Sequence, residues 1–365
     1  MDQISELRRS LNGELGWNKA RMNCFIQMLL ALFLTRSVNL NKLACMMAGG
    51  HADQASRYRR LQRFFAHFKI DFNVVSRFLF RLFFAASESC YLTIDRTNWK
   101  WGKENINVLM LGIVYKGTAI PICWELLNKG GNSDTFERIE LMEKFIKCFG
   151  KTCIAGVLAD REFIGKDWFD WLSSQNIPFC IRIRNNTVAI DEHNKKHWMS
   201  ALFHSLNIGD KRVLPGKYNV TGSWVCLSGL KLEDGNLLIV ASDQEPENAI
   251  ETYSLRWEIE TLFGCLKGRG FHFEDTHITQ RDRIKKLLIL LSIAFAWAHK
   301  TGEWRSKIRP LKIKKHGRPA VSLFRLGLDF IASAWISALN RKNKAISQCR
   351  QLLEIQWVSD KRVCS

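Results

Sequence analysis

Tyr253, Arg256, Glu260 and Lys267 stand at i, i+3, i+7 and i+14 in the stretch YSLRWEIETLFGCLK. On one helix, at about 100° per residue, the four project within an arc of roughly 60°. Leu255, Ile259, Leu262 and Leu266 fall on a neighbouring face and supply a buried stripe, so the polar row is expected to look outward. A carboxylate flanked turn after turn by a phenol and two cations suits a metal-binding acid set among side chains that grip phosphate. Glu258 is the nearest rival, but it projects about 160° away from Glu260. Two more acids close apolar runs: Asp95 after YLTI and Asp160 after CIAGVLA. Two divalent ions held about 4 Å apart by three such carboxylates can activate a water and stabilise the leaving oxygen of an in-line phosphoryl displacement. Each acid also has a plainer use. An Asp after a strand forms turns, and Arg256 with Glu260 at i, i+4 would make an ordinary helix-surface ion pair.

The elements that must position these groups follow from periodicity. Residues 1–88 read as a helical N-terminal, DNA-binding domain, with helical spacing in Asn23–Leu34, Leu40–Met47 and Phe64–Phe84. Within it, His51–Phe65 crowds Arg57, Arg59, Arg60 and Arg63 around Tyr58 and Phe64, a pattern that could seat on a phosphate backbone or form a solvated basic face. From Cys90 the pattern turns to short β-branched runs, 91–95, 106–115 and 118–125, divided by turn signals such as Lys116-Gly117 and read as three antiparallel strands. A helix over 133–149, N-capped by Ser133, a strand over 153–160, a helix over 166–174 and a strand over 179–183 complete a mixed sheet with helices packed on it. The polar, glycine-punctuated residues 186–236 read as a β-rich insertion. Residues 89–185 and 237–305 are then the two parts of one α/β core, the second containing a strand over 237–241 and the motif helix from Ala249. Residues 306–365 are a C-terminal helical region opened by the basic loop KIRPLKIKKHGR, with Lys312, Lys314 and Lys315 as candidate backbone contacts.

Composition agrees with a polyanion partner. Lys and Arg number 54 against 35 Asp and Glu, a net charge of +19, an excess that small-molecule enzymes rarely need. A membrane surface is the weaker option. The longest apolar run, Leu287–Ala298, falls short of the about 20 residues a spanning helix needs, and the N-terminus lacks the basic-then-apolar order of a signal peptide. Eleven cysteines, scattered without a Cys-x-x-Cys pair, read as free buried thiols of a cytoplasmic protein, with no zinc site.

The set Tyr253-x2-Arg256-x3-Glu260-x6-Lys267 resembles the YREK signature of the IS4 family of insertion-sequence transposases. Ile94–Gly102 (IDRTNWKWG) and Leu158–Phe163 (LADREF) resemble the family's first and second Asp blocks, and the likeness covers residues from about 90 to 280. It implies an RNase H-like core in which Asp95, Asp160 and Glu260 are the DDE ligands of two Mg²⁺ or Mn²⁺ ions. It also implies metal-dependent cleavage at double-stranded inverted-repeat ends and transfer of the 3′-OH into target DNA. Tyr253, Arg256 and Lys267 would grip phosphates, and a homodimer would assemble on paired ends beside the bacterial nucleoid. A catalytically inactive, domesticated DNA-binding derivative and another RNase H-like nuclease are the alternatives; the complete acid set argues against the first, and Arg256 and Lys267 against the second. One departure stands out. Where some members carry a Trp that stacks on a flipped base, this chain has Gly235-Asn236-Leu237. Trp224 is the nearest substitute, although it reads better as a core residue, as do Trp99 and Trp101; Cys265 reads as packing.

Overall fold

The computed structural model describes residues 3–47, 52–85, 88–315, 317–339 and 345–354. His51, at the head of the arginine-rich segment, and His316, in the basic loop, lie outside these residues. Five helices come first: α1 (Gln3–Leu15), α2 (Lys19–Thr35), α3 (Leu40–Met46), α4 (Gln54–His67) and α5 (Phe72–Phe83). Strands β1 (Cys90–Trp101), β2 (Glu104–Tyr115) and β3 (Thr118–Leu126) follow, then α6 (Thr135–Phe149), β4 (Ile154–Ala159), α7 (Lys166–Ser174) and β5 (Phe179–Ile183). Next are β6 (Val188–Ile190), β7 (Lys196–Trp198), α8 (Met199–Leu202), β8 (Lys211–Val213), β9 (Tyr218–Val220), β10 (Ser223–Lys231) and β11 (Leu237–Ser242). The chain then runs through α9 (Ala249–Ser254), α10 (Trp257–Leu266), α11 (Arg281–Ile308), α12 (Leu323–Leu339) and α13 (Ala345–Gln351). It forms two compact units, Ala86–Phe263 and the joined termini Met1–Ala85 with Gly264–Ser365. Residues 264–305, grouped with the α/β core in the sequence reading, therefore belong with the termini.

The unit of joined termini is helical. Its centre is α11, whose run Leu287–Ala298 is buried throughout, so this apolar stretch is a core helix. Among the described residues no single helix is long and apolar enough to cross a membrane. Side-chain caps fix the helix starts: Asn18, Asn39, Asp53 and Asp71 each accept a first-turn N–H. The described cysteines are free thiols; Cys45 is exposed, against the expectation of burial, because its side chain leaves the inner face of the short α3.

In the other unit the strand order is β3-β2-β1-β4-β5-β11-β10-β9-β6-β7, with β8 beside β10. The β1–β2 and β2–β3 pairs are antiparallel, while β1–β4 and β4–β5 are parallel. The antiparallel meander followed by crossovers through α6 and α7 is the RNase H-like arrangement. The β2–β3 turn puts both Lys116 (φ 49°) and Gly117 (φ 89°) in the left-handed region, as a two-residue hairpin requires. Two expectations change. Asp95 does not end its strand: β1 continues to Trp101, pairing with β2 along its length, because Thr97 and Trp99 keep alternating inward. The β-rich insertion joins the same sheet, since β11 pairs with β5 on one edge and β10 on the other and so carries the sheet onward. The motif helix is two helices. Between them Leu255, Arg256, Glu258 and Ile259 donate to carbonyls three residues back, a tighter winding than the α-helical projection assumed.

Candidate active site

Asp95 and Asp160 are placed by parallel pairing. The β1–β4 register runs to Ile94 opposite Ala159, so the next residue on each strand is an acid, and the two stand side by side where the parallel ladder ends. Ligands most often collect at this carboxyl end of parallel strands. Antiparallel pairing of Asp95 with Met110 holds the first acid from its other side.

The tight turn between α9 and α10 brings in the rest. Tyr253 and Arg256 are buried, not outward-facing, because α9 packs Ala249, Ile250 and Tyr253 onto Leu158, Cys180 and Val240 of the sheet. The Tyr253 hydroxyl donates to Asp160 Oδ1 at 3.4 Å, and burial pushes its phenol well above the ordinary range, keeping it a donor. Arg256 donates from Nη1 to Asp95 Oδ2 at 3.3 Å and from Nη2 to Glu260 Oε1 at 2.5 Å. Its guanidinium also lies over the ring of the exposed Trp257, 4.9 Å from the centroid. The i, i+4 pair is therefore real, but it is one arm of a bridge between two candidate ligands.

Glu258 has a different task. Its carboxylate accepts the N–H groups of Tyr115 at 2.6 Å and Gly117 at 2.8 Å, tying α10 to the β2–β3 turn. Burial raises its pKa. Glu258 and Glu260 thus meet different partners, the β2–β3 turn and Arg256.

Asp95 is pushed up to about 6, first by burial, against which the Arg96 N–H and Arg256 work; Glu162 and Asp160 add to the rise. Glu162 is itself held bidentately by Arg96, at 3.1 Å to each oxygen, and Arg96 reaches on to Asn107 and Asn132. Arg138 donates to the Glu162 carbonyl from over the Phe163 ring. Nothing in the spacing announces this supporting shell, although Arg96 and Glu162 each lie within two residues of a candidate acid.

Whether a metal suits the site turns on charge and donor type. Asp95 and Glu260 share one guanidinium, Asp160 meets only the Tyr253 hydroxyl, and all donors to an ion are oxygens. A hard divalent cation fits that set. Among the described residues no three acids already stand in a ligating cluster; Arg256 occupies the gap between Asp95 and Glu260.

Beside Asp160 opens a cavity of about 570 Å³ lined by Arg161, Arg182, Arg184, Asn185, Asn186 and Asn236, among others. Arg182 and Arg184 share one side of the chain by the two-residue repeat of β5, and the run FCIRIRNN carries that signal. Three guanidiniums around one opening make it an anion site in character.

The remaining predicted groups lie in the helical unit. Lys267 follows α10, is half-buried and pairs with Glu274 at 2.6 Å. On α4, Arg59 and Arg63 are exposed one turn apart and Arg57 is half-buried, whereas Arg60 is tied to Gln27 and the Ala20 carbonyl. The adjacent row of α4, Tyr58 and Gln62, borders a groove of about 470 Å³ together with Asn41, His277, Gln280 and Arg283. Lys312, Lys314 and Lys315 are exposed on a turn closed by an Ile313–Pro319 bridge.

Comparison with known proteins adds an independent finding. A family model described as transposase DDE domain matches residues 86–297, more than half of the chain. No curated protein matches. Among solved structures, the chain is similar to a piggyBac transposase synaptic complex with hairpin DNA determined by cryo-EM. That match has a TM-score of 0.45 and 10% identity over 96% of this chain and 81% of the other.

Proposed function

The chain belongs to the transposase DDE domain family, and from that premise we propose that it is an IS4-type, cut-and-paste transposase acting on its own element's inverted-repeat ends. Asp95, Asp160 and Glu260 would hold two Mg²⁺ or Mn²⁺ ions, which would supply Lewis-acid stabilisation of the phosphoryl oxygens and an activated water. The observation that carries this reading is the Arg256 bridge from Asp95 to Glu260 beside Asp160: it joins the first and third acids of the motif on one side chain.

The chain's own groups divide the work. Tyr253 orients Asp160 by donating to it, and Arg256 holds Asp95 and Glu260 in place while offering its charge to a nearby phosphate. Arg161, Arg182 and Arg184 grip the strand entering beside Asp160. Lys267, the last position of the motif, would grip phosphate from the helical unit. In the helical unit, the amide-lined groove along α4 suits base edges, flanked by Arg59 and Arg63 for the backbone. A homodimer on paired ends and a place at the nucleoid complete the proposal.

Purified protein with a duplex of its element's end is expected to release a 3′-OH product in Mg²⁺ or Mn²⁺ and none in chelator. Glu260→Gln should leave no detectable product. Efficient cutting by this variant, or no cutting by wild type, removes the proposal. Arg59→Ala and Lys314→Ala should each lower the salt slope of end binding by about one; unchanged slopes in both would remove these residues from the interface.

A further inference from the structure

We propose that the outer face of the β7-β6-β9-β10 sheet is a platform on which an unpaired DNA strand stacks its bases. Pairing puts Trp198 opposite Val188, Lys196 opposite Ile190, Ile190 opposite Asn219 and Asn219 opposite Trp224. Residues directly opposite share a face, and the two-residue repeat joins Trp198 to Lys196 and Val188 to Ile190. All six side chains therefore lie on one surface. The other face carries Ala189, Val220, Ser223 and Val225, all buried, with Ser223 bonded to Asp170 of α7 at 2.6 Å. The fold thus packs one side of this sheet and leaves the other to solvent.

On that open side Trp198 is 57% and Trp224 49% exposed. The core role expected for Trp224 is overturned: Val225 and Ser223 take the inward positions of β10. Val188 and Ile190, both half-buried, lie on the same face between the strands that carry the two rings, so the apolar surface there is continuous rather than scattered. Four strands at their usual spacing separate the two rings by about 14 Å across the sheet, room for a strand to lie over both. Lys196 lies on the same face, exposed, and Lys217 continues it one residue before β9. None of the face positions on these strands is acidic. Aromatic rings interleaved with lysines are the chemistry of sequence-tolerant single-strand binding, where each stacked base contributes about 1–3 kcal/mol. A second copy of the chain fits less well, because a two-fold contact would set these lysines against one another with no acid on the face to meet them.

The inference rests on the DNA reading above for the identity of the polymer, and its test separates the two. Full-length protein would be titrated with a short oligo-deoxythymidine strand, following tryptophan quenching, in parallel with nicking of duplex ends. Wild type should bind the strand with quenched emission. The double variant Trp198→Ala/Trp224→Ala should bind it at least tenfold more weakly while nicking duplex ends as wild type does. Equal affinity in variant and wild type, absence of single-strand binding by wild type, or loss of self-association as the variant's only change would overturn the platform. Failure of wild type to nick would instead count against the transposase reading, with the oligonucleotide titration still decisive for the platform.

Discussion

Asp95→Asn is expected to abolish end nicking and, in metal-free buffer at pH 8, to leave the protein more stable than wild type. On the proposed function the activity loss would follow from removing a ligand whose ion would supply several kcal/mol of charge stabilisation, about a thousandfold in rate. The stability gain follows from burial. In the folded protein the Asp95 carboxyl is pushed up to about 6 from an ordinary 3.8, so between those values the folded state holds a proton the unfolded chain has released. Stability from this group is full below 3.8 and falls as pH rises to 6. Above that, wild type carries a disfavoured charge worth at most about 3 kcal/mol, and the amide does not. Thermal melts in chelator at pH 8 and pH 4 should show a higher Tm for the variant at pH 8 and a much smaller gap at pH 4. A variant less stable than wild type at pH 8 would refute this account of the site.

Arg256→Ala should show the opposite balance. Its guanidinium is almost wholly buried, between Asp95, itself largely buried, and the more exposed Glu260. Loss of the Glu260 arm is worth at most about 1 kcal/mol, as for exposed pairs. Loss of the Asp95 arm leaves a buried carboxylate unpaired, and the two together cost roughly 3 kcal/mol. Added Mg²⁺ should raise the Tm of Arg256→Ala more than that of wild type, because the emptied gap between the acids favours a cation. Arg256→Lys should recover part of the stability but not the two-armed bridge. Equal melting of Arg256→Ala and wild type in chelator would show that the bridge does not hold the site together.

Much of the α/β unit was legible because its signals were local. The helix over 166–174 and the strand over 179–183 are found as read, and Lys116-Gly117 marks the hairpin turn. The cap of α6 moved by one residue: Asp134, not Ser133, forms a reciprocal capping box with Glu137. What stayed hidden depended on contacts distant in sequence. The break at Leu255–Arg256 has neither Gly nor Pro to announce it. It arises where α9 and α10 dock on different partners, Tyr253 on the sheet and Glu258 on the β2–β3 turn. The acids were legible as a set, since order and spacing survive in one dimension. Their coupling through Arg256 was not, because an i, i+4 spacing looks the same whether the arginine's other arm faces water or a second carboxylate.

The mid-strand position of Asp95 bears on how such a chain can change over generations. A residue gained or lost within β1 would turn Asp95 to the opposite face of the sheet and strip Arg256 of one of its two partners. Length changes are therefore survivable only where no acid is upstream in the same strand. Within the α/β unit one such stretch lies between Arg184 and Leu237, where whole strands join the sheet without shifting Asp95, Asp160 or Glu260. Residues could be added there, on the part of the sheet that carries Trp198 and Trp224, with the contacts of Arg256 to Asp95 and Glu260 left in place.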